Sequence, residues 1–127
     1  MWPFRKIFGE SRKVRTASQL YRKAVRFDER GKPYEAIVMV CRALQTVRGS
    51  GADLRGPDAL NLVMTATTFF DELATKVGRP EIVLTALREA LELCDRAVAD
   101  PELMERVMTY RDRFYHRISF ITAQQNQ

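Results

Sequence analysis

Histidine and tryptophan occur once each in the 127 residues, cysteine occurs twice, and no apolar run approaches the roughly 18 residues that a membrane-spanning helix needs. Each shortage removes a class of function. No transmembrane helix is expected. The opening Met1-Trp2-Pro3-Phe4-Arg5-Lys6-Ile7-Phe8-Gly9 is too short in apolar content for a secretory signal, and Arg5 and Lys6 interrupt it. A cytoplasmic placement is therefore expected. Cys41 and Cys94 are far apart, flanked by apolar residues, and match no metal-ligand or redox spacing, so both are predicted to be buried free thiols. His116 stands between Tyr115 and Arg117 with no second histidine, and a general base without partners does little. Gly49, Gly51 and Gly56 lack the Gly-Lys-Ser/Thr ending of a phosphate loop, and Asp53 and Asp58 are too few for a calcium loop. No catalytic residue, cofactor or metal ligand is predicted, and the chain reads as a non-enzyme.

What is present is ordinary in amount and uneven in placement. The hydrophobic fraction of 46% and charged fraction of 29% suit one folded domain. The formal net charge is +5, yet residues 1–26 carry eight Lys and Arg against the single acid Glu10, a local +7 that leaves −2 for the remainder. A basic end of this kind suits an anionic membrane, a nucleic acid or an acidic partner protein, or simply a solvated surface. Large apolar residues are mixed into it. Trp2, Phe4, Arg5, Lys6 and Phe8 form an aromatic and basic arm over residues 1–15, with three readings: weak contact with a membrane surface, packing on the domain's own core, or insertion into a partner protein. Nucleic acid is disfavoured because the arm carries no recognition motif.

Glycine and proline punctuate the rest. Gly31-Lys32-Pro33, Gly56-Pro57, Gly78-Arg79-Pro80 and Asp100-Pro101 each place a helix stop before a helix start. Between these marks the apolar residues recur every three or four positions. The spacing predicts helices over residues 16–30, 33–47, 57–77, 80–99 and 101–122. Thr16-Ala17-Ser18-Gln19 is expected to form a capping box at the start of the first, and Asp100 to cap the last. The second predicted helix is apolar nearly all round, with Val38 and Met39 adding a second face, and is expected to be central. Residues 48–56 are expected to be a loop, and residues 123–127 a disordered tail. The predicted fold class is all-α, five helices as stacked antiparallel hairpins, with the helical domain over residues 16–122.

An offset of 47 residues superposes Gly31-Lys32-Pro33 on Gly78-Arg79-Pro80, Val40 on Leu87, and Ala43-Leu44 on Ala90-Leu91. Repeats near this length build helical solenoids. Within the first of them, Leu20, Ala24, Phe27, Gly31, Ala36, Val40 and Ala43 stand in the order and spacing of a tetratricopeptide repeat, and residues 17–47 resemble one. The second hairpin, residues 57–99, keeps Gly78, Leu87 and Ala90 but has Thr67 and Asp71 where a large and a small residue are expected. The closing proline of the family is replaced by Arg48. The resemblance implies a helical repeat protein whose first helices line a groove for another protein. It places Tyr21, Arg22, Val25, Asp28 and Glu29 on that groove from the first hairpin, beside Ser18, and Phe69 and Glu72 from the second, beside Thr68 and Lys76. The function it implies is that of an adaptor or scaffold. A peripheral membrane or nucleic-acid binder led by residues 1–15 is the alternative, and a homodimer through the apolar excess of the second and third helices stays open.

Overall fold

The computed structural model describes the backbone of residues 2–48 and 57–126 and the side chains of residues 12–48 and 58–126. The protein is all-α. The described residues form five helices, in chain order α1 (Trp2–Glu29), α2 (Pro33–Arg48), α3 (Pro57–Lys76), α4 (Leu84–Ala97) and α5 (Pro101–Gln125), with a short 3₁₀ turn at Pro80–Val83 leading into α4. The chain divides into two compact units, Met1–Leu73 and Ala74–Gln127.

In the first unit α1 and α2 pack against each other. The reversal between them is made by Gly31, whose φ is +75°. Its N–H donates to the Asp28 carbonyl at 3.0 Å, and the Lys32 N–H reaches back to the Phe27 carbonyl at 2.8 Å. These two bonds satisfy carbonyls that the end of α1 would otherwise leave open, the arrangement known as a Schellman motif. Pro33 then starts α2, where a missing N–H costs nothing. Ala17 and Ala24 of α1 and Ala36, Val40, Ala43, Leu44 and Val47 of α2 are buried, as are Ala59, Leu60, Val63, Met64, Ala66, Phe70 and Leu73 of α3. The small side chains on α1 and α2 permit a close approach of the two helix axes.

The second unit uses the same turn. Gly78 also has φ +75°, its N–H donates to the Thr75 carbonyl at 3.0 Å, and Arg79 N–H donates to the Ala74 carbonyl at 2.9 Å. The two Gly-basic-Pro marks of the sequence are thus the same hydrogen-bonded structure. The residues after the turn differ in structure, because Pro80 opens a 3₁₀ turn whereas Pro33 opens an α-helix. α4 and α5 pack together and bury Leu84, Leu87, Ala90 and Cys94 from one, Leu103, Val107, Phe114 and Ile121 from the other. Asp100 caps α5 as expected, its carboxylate accepting from the Glu102 N–H at 2.9 Å.

Several boundaries differ from the sequence-based ones. Backbone helix begins at Trp2, not at Thr16, so residues 2–15 continue into α1 without a break. Thr16 caps nothing: its hydroxyl donates to the Arg12 carbonyl at 3.0 Å, the back-bond available to a threonine inside a helix. At the other end α5 continues to Gln125, past residue 122. α2 is not buried all round, since Val38 is 48% exposed and Met39 half-buried. The loop expected over residues 48–56 falls, apart from Arg48, outside the described residues.

Among the described residues of the first unit, Thr67 is the one buried polar side chain. Its hydroxyl has no hydrogen-bond partner, whereas neighbouring Thr68 back-bonds to the Met64 carbonyl at 2.9 Å. A buried hydroxyl without a partner carries a desolvation cost. Thr67→Val is therefore expected to stabilise the protein by about 1 kcal/mol, seen as a raised urea midpoint at unchanged slope. Conversely, Gly31→Ala and Gly78→Ala should each destabilise by about 1 kcal/mol. An added Cβ would meet no atom within 4 Å at either position, so the loss isolates backbone strain.

Candidate protein-binding surfaces

Of the residues assigned to a groove, the structure brings two into direct contact. The Tyr21 ring of α1 meets the Phe69 ring of α3 edge to face, with centroids 5.6 Å apart and planes at 73°. Such a pair contributes about 0.5–1.5 kcal/mol beyond its buried area. It joins α1 to α3 at this point within the first unit. Both rings are half-buried, so part of each residue stays open to solvent. Val25, Asp28, Ser18 and Thr68 are also half-buried, while Arg22, Glu29, Glu72 and Lys76 are exposed. Trp2, Phe4, Arg5, Lys6 and Phe8 lie on the helical backbone of α1, and their side chains fall outside the described residues.

The most concentrated charge on the described surface is on another face of α1. Arg12, Arg15, Lys23, Arg26 and Arg30 are all exposed. Helical spacing aligns them along roughly 27 Å of axis, at 1.5 Å per residue. Near the end of this row Lys23, Arg26 and Arg30, at positions i, i+3 and i+7, surround a depression of about 340 Å³ whose other lining side chains are Phe27 of the same helix and Met39 of α2. Phe27 and Met39 are both half-buried. No ion pair among the described residues engages Lys23, Arg26 or Arg30. Sequence reasoning missed this site. The cation spacing was visible in the sequence, but the approach of Met39 from the neighbouring helix was not.

Two apolar surfaces accompany it. On α2, Tyr34 is 61% exposed and lies one turn before Val38, with Ile37 and Cys41 half-buried beside them. On α5, Met104, Met108 and Tyr115 are exposed at i, i+4 and i+11. Between the last two stands Arg111, whose Nε donates to the Asp95 carboxylate of α4 at 2.6 Å. Arg111, Asp95, Asp112, Leu91 and Tyr115 line a second depression, of about 390 Å³. Arg117 donates to the Thr75 hydroxyl at 3.3 Å.

His116 is exposed, and its ring meets Tyr115 edge on at 5.9 Å. Among the described residues no cluster of three His, Cys, Asp or Glu side chains could hold a metal ion, and no helix is long and apolar enough to cross a membrane. No protein-family model matches the chain, and no curated protein or solved structure is significantly similar to it.

The two thiols differ from expectation and from each other. Cys94 is buried and Cys41 is half-buried, so only one of the pair is the enclosed thiol anticipated for both. Burial raises both pKa values. For Cys94 burial comes first and the Asp95 carboxylate adds to it, against a smaller opposing effect of Arg111, and the thiol is pushed up to about 11. For Cys41 burial outweighs the opposing charge of Arg48. At pH 7.5 an alkylating reagent is expected to modify Cys41 first, with Cys94 reacting only as fast as the unit opens, read as sequential mass increments. Because the folded-state pKa of Cys94 lies above its ordinary value of 9.0, its contribution to stability is complete below pH 9 and is lost as pH rises to about 11. Cys94→Ala should accordingly lose less stability than the native chain between those two values in urea titrations.

Proposed function

We propose that the protein is a non-enzymatic adaptor or scaffold that binds another protein through the faces of α1 and α3, in the manner of a tetratricopeptide-like groove. The observation that carries this reading is the edge-to-face contact of Tyr21 with Phe69, which joins one residue of each of the two first helices within the first unit. Arg22 and Glu29 on α1 and Glu72 on α3 remain exposed and available to a polar partner surface. The half-buried Val25, Tyr21 and Phe69 supply apolar contact among them. Interfaces of this composition, partly buried aromatics together with charges of both signs, draw affinity from the aromatics and selectivity from the charges. The exposed Tyr34 and Val38 on α2 offer a further apolar surface to the same kind of partner.

The test leaves the aromatic pair intact, because Tyr21→Ala would also loosen α1 from α3. A double charge reversal, Arg22→Glu with Glu72→Lys, alters only exposed side chains. The native chain, used as bait in nuclease-treated extract of its source cells, is expected to recover one partner in stoichiometric amount. The double variant, with an unchanged circular dichroism melt, should bind that partner about tenfold more weakly. Equal recovery by both would remove the groove assignment. Recovery of no protein, together with salt-sensitive binding to anionic vesicles that is lost on Arg5→Ser with Lys6→Ser, would replace the adaptor reading with the membrane-peripheral one.

A further inference from the structure

We propose that the depression formed by Lys23, Arg26, Phe27, Arg30 and Met39 is a second docking site, and that its occupant is an acidic peptide segment of a partner protein carrying one large apolar side chain. The site lies on a different face of α1 from Tyr21 and Val25, so it goes beyond the groove reading and stands independently of it.

Charge complementarity sets the sign of the occupant. Three cations, Lys23 and Arg26 of α1 and Arg30 just past its end, surround the depression, none is engaged in an ion pair among the described residues, and no carboxylate is among its described lining side chains. The surrounding unit, Met1–Leu73, holds thirteen Lys and Arg against eight Asp and Glu, so it carries the whole +5 of the chain while Ala74–Gln127 is balanced at eight and eight. Two of the three cations are arginines, whose planar forks pair with carboxylates through two parallel hydrogen bonds.

The apolar part of the lining sets the rest of the occupant's chemistry. Phe27 and Met39 are half-buried between the cations, so part of each stays in contact with water. A bound group that covers them recovers hydrophobic free energy in proportion to area. A thioether adapts its shape to whatever enters. The volume of about 340 Å³ is at the small end of the roughly 300–1,000 Å³ typical of ligand pockets, a size suited to a side chain rather than a folded surface. A nucleic-acid backbone or a bilayer headgroup layer would satisfy the cations and leave the apolar lining uncovered. An acidic segment with one leucine or phenylalanine satisfies both.

The probe is a fluorescein-labelled peptide of one leucine flanked on each side by glutamates, titrated with the full-length protein at low salt and followed by anisotropy. Saturable binding is expected, weakened about tenfold or more by Arg26→Glu with Arg30→Glu and several-fold by Met39→Ala. Replacing the peptide's leucine with alanine should weaken it by a similar several-fold. Arg26→Gln with Arg30→Gln serves as the milder variant, and unchanged thermal melts establish that each variant is folded. The proposal is overturned if no saturable binding occurs, if the charge variants bind as tightly as the native chain, or if the leucine-free peptide binds equally well. It is also overturned if duplex DNA or phosphatidylserine vesicles bind more tightly than the peptide and lose that binding in the arginine variants, since the cations would then serve an extended polyanion.

Discussion

A helix that must stop and double back within three residues needs one residue in the left-handed region of backbone space, and the arrangement of this protein depends on glycine filling that role. At Gly31 and again at Gly78, φ is +75°, and the same pair of back-reaching hydrogen bonds closes the helix end. A side chain at either position would not clash with a neighbour. The constraint is entirely in the backbone. Once Gly31 has turned the chain, α2 runs back along α1, and the apolar stripes of the two helices can cover each other. Without that reversal, neither helix could bury Ala24 or Val40 where it does.

Closing the hairpin also disposes of charge. α1 has an apolar side fixed by Ala17 and Ala24, and a separate exposed side where Arg12, Arg15, Lys23, Arg26 and Arg30 gather. The result is a row of like charges along one helix, held at close spacing by a backbone that cannot relax to separate them. Repulsion along such a row is weakened by water and salt, yet it leaves the surface able to gain from any anionic partner. In the second unit, by contrast, Arg111 and Asp95 neutralise each other across α4 and α5, and its formal charges balance. The two units therefore present different chemistry: a cationic face with an apolar depression in one, a neutral surface with exposed methionines and tyrosine in the other.

Much of this was legible in the residues. The helix phases of α2 through α5 follow the three-and-four spacing of apolar side chains, Asp100 caps α5, and both glycine turns fall at their marks. The start of α1 was not legible, because Thr16-Ala17-Ser18-Gln19 is compatible with a cap and with a helix interior. The hydroxyl chose the Arg12 carbonyl once the preceding residues were helical. The exposure of Val38 was hidden too, since an apolar residue on a second face of a helix is buried only if another element arrives to cover it. Thr67, which departs from the repeat pattern by being polar and modest in size, is enclosed without a partner for its hydroxyl. Among the groove residues, Tyr21 and Phe69 could be placed on their helices from sequence, but not their mutual contact.

The sequence by itself determined most of the elements: where α2 to α5 run, where the chain turns at Gly31 and Gly78, and which stripe of each helix is apolar. These depend on interactions within four or five residues, which the order of side chains specifies directly. Tertiary structure decided which of two apolar faces is covered, which aromatic meets which, and that Met39 from one helix completes a depression among three cations of another. Those outcomes depend on distances between residues remote in sequence, and such distances exist only after the helices have packed.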